Sequence, residues 1–303
     1  MPTLNGLLVV DKPAGRTSRD VVNEIQRRLP RGTRIGHTGT LDPLATGVLV
    51  LCLGPATRLA EFVQDMPKTY CAGLLLGTTS DTDDADGMVT PVADALLPNE
   101  VQVRAALQGF VGEIDQVPPA FSAARVTGQR AYDLARRGQA VQLAPRRVFV
   151  HGIDVERYVF PRLDLVVRCG KGTYIRSLAR DLGERLGCGA LVEALRRTQV
   201  GPFMANEGLS LETPPAELHR HLLAPDAAFA GMPSLQLRPG VGRRLAHGQA
   251  VPLGEAASAG DLRRGKLVAL DEAKRAIAVV ACDSARGLLV PVKVLPPDAS
   301  PAD

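Results

Sequence analysis

The apolar positions of this chain change period several times along its length. Gly6 to Val10 is a short continuous apolar run that predicts a buried strand, ended by Asp11-Lys12-Pro13. Thr17 and Ser18 then open an amphipathic helix with Val21, Val22, Ile25 and Leu29 on one face. Arg31 to Gly47 is rich in glycine, has no period and predicts irregular chain. Gly47 to Leu53 predicts a strand, Arg58 to Met66 a helix and Tyr70 to Leu76 a strand, followed by an acidic loop from Ser80 to Gly87. Asn99 stands where it can cap a helix running to Phe110, and Tyr132 to Arg137 is helical in pattern. Val148 to Val159 and Leu163 to Cys169 predict a hairpin. Tyr174 to Leu186 predicts a helix that turns Ile175, Leu178, Ala179, Leu182 and Leu186 to the core.

Strands and helices mix without a regular βαβ alternation, which predicts an α+β fold around a mixed sheet. Between Gly201 and Pro239 six prolines crowd a segment whose strongest helix candidate is Ala216 to Leu223, and a domain boundary is expected there. Beyond it, Gln249 to Leu253, Leu267 to Leu270, Ile277 to Ala281 and Leu288 to Val294 are short β-like runs split by turns. They predict a small β-barrel of about 60 residues, a size at which a core is marginal, so it should lean on the first domain. Pro296 to Asp303 predicts a disordered tail.

The chain has 303 residues, enough for two domains. Apolar residues make up 45% and charged residues 22%, which excludes collagenous, coiled-coil and wholly disordered classes. The net charge is only +4, yet the basic residues are thirty Arg against six Lys. Such a bias reflects either genome composition or contacts to phosphates and bases, where the planar guanidinium outperforms an ammonium. The five cysteines are scattered and never paired as C-x-x-C, so they predict reduced thiols of a cytoplasmic protein without disulfides or a zinc site. Met1 to Val10 lacks a basic stretch and does not read as a signal peptide. The longest uncharged run, Pro43 to Thr57, is too short and too broken to span a membrane.

The densest motif runs from Gly36 to Gly47, G-H-T-G-T-L-D-P-L-A-T-G. Asp42 before Pro43 can be a helix N-cap with Pro at the first helical position and Gly47 as the stop. It can also be an acid presented between Leu41 and Leu44 by a glycine-pinned loop, with His37 five positions earlier, and both readings can hold together. Tyr70, starting a strand after Lys68, reads from propensity alone as a core aromatic. The acidic loop invites a calcium reading, but setting Gly87 at the sixth loop position puts Ala93 where a bidentate Glu is needed. A hydrogen-bonded loop beside a cleft is the better expectation. Six Arg-Arg pairs, at 27/28, 136/137, 146/147, 196/197, 243/244 and 263/264, read singly as solvated faces.

The loop Gly36-His37-x-Gly-x-Leu41-Asp42-Pro43-x-Ala45-x-Gly47 resembles the catalytic loop of the TruB family, the bacterial tRNA pseudouridine-55 synthases. Further similarities follow in order: the opening segment Gly6 to Ser18, Lys68-x-Tyr70, Asp81-Thr82-x-Asp84-x-x-Gly87, Gln116-Val117-Pro118-Pro119 with Ser122-Ala123, and Lys171-Gly172-Thr173-Tyr174-Ile175-Arg176. They reach from Gly6 to about Leu237, and the C-terminal piece more weakly resembles a PUA-type RNA-binding barrel. Ser80 replaces the family's usual Thr, and Arg19 stands where His is common.

The resemblance implies a pseudouridine synthase catalytic domain over 1–232, a PUA-like domain over 233–295 and a tail over 296–303. It implies isomerisation of uridine to pseudouridine in the T-loop of tRNA, at position 55, by a catalytic aspartate with base flipping. Asp42 is then the catalytic aspartate, Arg176 its partner, and Tyr70 the residue stacked on uracil. His37 displaces the base, and Tyr174, Leu195 and Lys68 border the substrate, Leu195 being expected on an apolar helix face. No cofactor or metal is implied, and the chain lacks a Walker A loop, a G-x-G-x-x-G turn and a clustered His/Cys set. The expected partner is the tRNA T-stem-loop, with no membrane and no obligate protein partner, the protein acting as a monomer. The alternatives are the same chemistry on another RNA, rRNA or guide-dependent, or an RNA-binding folding chaperone without catalysis.

Arg176 adds an independent argument. No acid lies three or four positions away on its own helix, and the first turn, where it sits, disfavours a cation. An exposed or RNA-facing Arg is one explanation. A carboxylate from elsewhere is the other, and Asp42 is the candidate, expected to be held ionised with a lowered pKa. Against an RNA substrate the Arg pairs become a phosphate-contacting stripe.

Overall fold

A computed structural model of the chain describes residues 4–122, 124–126, 129–135, 137, 142–258 and 265–295. Ala123, Arg136, the Arg263-Arg264 pair and the 296–303 tail lie outside the described residues. In chain order come β1 (Gly6–Lys12), α1 (Ser18–Arg27), β2 (Ile35–His37), β3 (Thr46–Leu53), α2 (Ala60–Asp65), β4 (Lys68–Leu76), β5 (Thr78–Ser80), β6 (Val89–Pro91), α3 (Glu100–Gln108) and β7 (Gly112–Gln116). Next are β8 (Arg125–Val126), β9 (Gln129–Arg130), α4 (Ala131–Ala135), β10 (Arg146–Val159), β11 (Arg162–Cys169), α5 (Ile175–Leu186), β12 (Ala190–Val200) and β13 (Phe203–Met204). The C-terminal part holds β14 (Ser234–Leu237), α6 (Val241–Ala246), β15 (Val251–Pro252), β16 (Ala256–Ser258), β17 (Lys266–Leu270), β18 (Ala276–Asp283) and β19 (Leu288–Val294).

The first part is built on a nine-stranded sheet in the order β1-β3-β12-β4-β11-β10-β7, with β2 added to β3 and β13 to β12. All its pairings are antiparallel except β3 with β12, which run parallel where Thr46 meets Arg196 and Gly47 meets Arg197. That parallel contact places the end of the Asp42 loop beside the central strands. On β4 the period of two turns Lys68, Tyr70, Ala72, Leu74 and Leu76 inward. Ile175, Leu178, Ala179 and Leu182 of α5 pack on this face with Leu163, Leu165 and Val167 of β11. Each fully buried leucine here contributes roughly 1.5–3 kcal/mol relative to exposure. Two helices begin with reciprocal capping boxes, Thr17 with Asp20 before α1 and Asn99 with Gln102 before α3.

Several expectations need correction. Residues 190–200, expected to place Leu195 on a helix face, form strand β12, with Leu195 opposite Ala72 of β4. Register shifts at Val192/Ala194 and Arg197/Gln199 break the alternation that would have announced a strand. Gly54 and Pro55 make the start of the expected Arg58–Met66 helix a 3₁₀ segment, Gly54–Leu59, before α2 begins. The expected helix at Ala216–Leu223 is likewise 3₁₀, over Pro215–His221. His37, in the stretch expected to be irregular, lies on the short strand β2, and Asp42 caps no helix: the chain bends at Pro43 and Leu44 and enters β3.

The C-terminal strands form a six-stranded curled half-barrel sheet, ordered β15-β19-β18-β17-β14-β16. Its dependence on the first part is direct. Val268, Val279 and Leu295 share one buried cluster with Phe62, Val63 and Phe229. Lys293 pairs with Glu61 of α2 at 2.7 Å, and Lys266 lies 5.9 Å from the Phe62 ring centroid. Among the described residues no helix is long and apolar enough to cross a membrane.

Candidate active site

The Asp42 loop has little secondary structure of its own and is held by side chains reaching in from three directions. Ser18, at the first turn of α1, accepts from the Leu41 amide at 2.8 Å and donates to the Leu41 carbonyl at 3.0 Å. The Lys12 ammonium, fully buried at the end of β1, donates to the carbonyls of Pro13, Arg16 and Pro43. Arg197 donates from β12 to Gly39 and Thr40 at 3.1 and 3.4 Å. Asp42 is thereby presented with its flanking residues fixed on both sides.

Its carboxylate meets Arg176. The guanidinium Nε stands 3.0 Å from one Asp42 oxygen and a terminal nitrogen donates to the other at 3.1 Å. The remaining nitrogen lies 3.2 Å from Asp84 and donates to the Thr82 carbonyl at 2.8 Å, while the Phe121 carbonyl accepts at 2.9 Å. Arg176 and Asp84 are each 4% exposed. The penalty of placing a cation in the first turn of α5 is thus offset by two carboxylates from outside the helix. Asp84 is held in turn by the Thr82 hydroxyl at 2.6 Å and the Asp86 amide at 3.2 Å. The acidic loop is a hydrogen-bonded loop that backs Arg176, and Asp83 adds a second ion pair to α5 through Arg180 at 3.0 Å.

The expectation that Arg176 lowers the Asp42 pKa does not hold in net. Burial raises it above the ordinary carboxylate value, Arg176 opposes that rise, and the neighbouring Asp84 charge adds to it. A desolvated carboxylate held in one orientation results, more basic than an exposed aspartate. Burial also pushes the Tyr70 hydroxyl up, and brings Lys12 and Lys68 down to about 8 each.

A cavity of about 500 Å³ opens over these groups and is lined by all seven residues singled out from the sequence. Asp42, Arg176 and Tyr70 meet there with His37 from β2, Tyr174 from the start of α5, Leu195 from β12 and Lys68 from β4. Tyr70 is 8% exposed: it packs in the core, as its propensity alone suggested, and also lines the cavity. Lys68 contributes a wall, but its ammonium is turned to the Gln64 and Met66 carbonyls. Tyr174 is fixed through its backbone, since buried Gln116 accepts from its amide at 2.8 Å and donates to its carbonyl at 3.0 Å.

Sequence reasoning did not single out Asp84, Arg197, Lys12, Ser18 or Gln116 as parts of this site. Asp84 was readable only as one of several acids in its loop. Arg197 was grouped with Arg196 as half of a phosphate-contacting pair, yet strand geometry separates them. Arg196 pairs with Asp11 at 2.8 Å, whereas Arg197 is 3% exposed and turned to backbone. Other pairs are also engaged within the protein: Arg27 and Arg28 with Glu24, Arg147 with Glu113, and Arg244 with Glu255.

A family model described as the TruB family pseudouridylate synthase N-terminal domain matches residues 27–175, and one described as the tRNA pseudouridylate synthase B C-terminal domain matches residues 176–222. The tRNA pseudouridine synthase B of Arthrobacter sp. (strain FB24) is 46% identical over 268 residues, covering 84% of this chain and 87% of that protein. The tRNA pseudouridine synthase B of Xanthomonas campestris pv. campestris (strain B100) is 49% identical over 211 residues, 69% of this chain and 68% of the relative. Among solved structures, a chain of a Cbf5-Nop10-Gar1 complex superposes with a TM-score of 0.75 at 24% identity, covering 96% of this chain and 85% of that one, a likeness of fold.

Proposed function

Because the chain belongs to the TruB family and is a tRNA pseudouridine synthase, we propose that it isomerises the T-loop uridine at position 55, with Asp42 as the catalytic aspartate. Isomerisation breaks the N1–C1′ bond, turns the base and joins C5 to C1′, the proton leaving C5 as N1 gains one. No redox equivalent and no external group enter. A single ionised carboxylate beside the sugar and base serves each route to this product, whether it attacks C1′, attacks C6 or assists loss of the C2′ proton through a glycal.

The observation that carries this reading is the grip of Arg176 on both Asp42 oxygens beneath the cavity. It orients the carboxylate, and burial keeps that carboxylate basic. The Tyr70 ring offers a stacking surface for the extracted uracil and its hydroxyl a group to handle the C5 proton, while Leu195 and Tyr174 border the base. His37, on the cavity rim, replaces the uridine in the RNA stack, offsetting the few kcal/mol that unstacking costs. Lys68 borders the same space and supports the wall.

The synthase domain spans 1–232, and the curled sheet within 233–295 is a PUA-like surface for the rest of the tRNA. The enzyme works without a cofactor, in the cytoplasm and as a monomer on a partly single-stranded RNA shape. The test is Asp42→Asn assayed on a T-stem-loop transcript: pseudouridine formation should vanish while RNA affinity stays within about threefold. Retained turnover would remove Asp42 from the chemistry. Mass-spectrometric mapping of tRNA from cells with and without the gene tests the substrate, and an unchanged T-loop uridine would overturn it.

A further inference from the structure

Arg197 is a buried residue of the cleft whose charge the chemistry above does not use. Its side chain lines the same cavity, yet among the described residues no carboxylate lies within ion-pair distance of it. Its donors reach three backbone carbonyls, Nε that of Val48 at 2.7 Å and the two terminal nitrogens those of Thr40 at 3.4 Å and Gly39 at 3.1 Å, and the guanidinium also hydrogen-bonds the Tyr70 hydroxyl. Gly39 and Thr40 lead into Leu41 and Asp42, and Val48 follows the loop into β3. One guanidinium therefore ties the entry of the Asp42 loop to its exit.

The backbone of Arg197 extends this tie. It pairs with Gly47 of β3 on one side and with Tyr70 of β4 on the other. The contact with Gly47 is so close that a Cβ there would lie 2.1 Å from the Arg197 carbonyl oxygen. A buried cation without a counter-ion is costly, and a leucine or methionine would satisfy the packing alone. What the guanidinium supplies is a planar fan of donors that reaches three carbonyls at once, which an ammonium on a flexible stem does not reproduce.

We propose that Arg197 is a positioning residue of the reaction, fixing the Asp42 carboxylate relative to the Tyr70 ring by clamping both ends of the loop to the strand beside Tyr70. The proposal rests on the reading of Asp42 as the catalytic aspartate. It also reassigns the second arginine of the 196/197 pair from phosphate contact to alignment of the cleft.

The test compares kcat and KM on a T-stem-loop for the full chain, Arg197→Lys and Arg197→Ala, the last with and without free guanidinium at non-denaturing concentration. Misplacement of a reacting group by about 1 Å costs on the order of 100-fold, so kcat of Arg197→Lys should fall by about that factor with KM within about threefold. Guanidinium should restore about tenfold of the lost rate to Arg197→Ala, as refilling the clamp requires, and none to Asp42→Asn. A kcat of Arg197→Lys within about threefold of the parent overturns the proposal, as does a rise in KM at constant kcat, which marks an RNA contact. Should Arg197→Ala fail to fold, the Arg197→Lys values decide alone. Turnover by Asp42→Asn would instead defeat the underlying reading, whatever Arg197 does.

Discussion

Arg176 faces both oxygens of Asp42, at 3.0 and 3.1 Å, from the first turn of a helix that places no acid three or four positions from it. Because its third nitrogen is given to Asp84 at 3.2 Å, the arginine is a bridge between two carboxylates. Breaking it should therefore cost stability as well as rate. Arg176→Met leaves Asp84 buried without a counter-ion, and a loss of about 3–5 kcal/mol is expected in urea unfolding. Arg176→Lys should keep more of the fold but lose about 100-fold in kcat, since one ammonium cannot hold both oxygens in line. Wild-type turnover in Arg176→Lys would contradict this.

The pH dependence follows from the direction of the Asp42 shift. Burial raises its pKa, so the carboxylate takes up its proton at a higher pH than an exposed aspartate, whose value is about 3.9. If ionised Asp42 carries the reaction, kcat should fall on the acid side with a midpoint above that value. Asp84→Asn removes the like charge that adds to the rise, so the residual activity of that variant should have its acid limb at lower pH. A limb that stays in place or moves up would be the contrary result.

Lys12 gives a prediction on stability. Its pKa is lowered from 10.5 to about 8 in the folded chain, chiefly by burial. Between those values the unfolded chain holds a proton that the folded chain has released, so this group's contribution to stability rises with pH. Comparing the full chain with Lys12→Met isolates it from other titrations. The full chain should gain on the variant as the pH is raised from 7 to 10, read by urea midpoints. A difference independent of pH would show that burial does not penalise the ammonium.

Gly47→Ala tests the close approach of β3 to β12. The glycine has φ +102°, and its Cβ would meet the Arg197 carbonyl oxygen at 2.1 Å, backbone against backbone. Neither side can yield without moving the parallel contact between the two strands. We expect a loss above about 3 kcal/mol, seen as a fall in Tm, because strain and overlap act together. A change within about 0.5 kcal/mol, as at an ordinary surface site, would refute it.

Much of the site was legible in the sequence because it rests on local signals. The Thr17 and Asn99 caps, the strand expected over Tyr70 to Leu76 and the amphipathic run of α5 each depend on near neighbours, and each appears where expected, the strand starting two residues earlier at Lys68. That Arg176 wants a carboxylate from outside its helix was readable too, because no acid lies three or four positions from it, whereas the choice of Asp42 came from the family resemblance. What escaped depends on contacts distant in sequence. Asp84 reaches Arg176 across 92 positions, and Arg197 reaches Gly39 across 158. The two register shifts on β12 hid both the strand and the inward turn of Arg197, since alternation is informative only where it is unbroken.

The apolar cluster that joins Phe62 and Phe229 to Val268, Val279 and Leu295 has a consequence for how RNA is received. A hinge between the two sheets would have to expose these side chains to water, so the joint behaves as a weld. The distance between the cleft and the curled sheet is then set before any ligand arrives. On the proposed reading of the curled sheet as a second RNA surface, the entropy of fitting cleft and sheet together falls on the RNA.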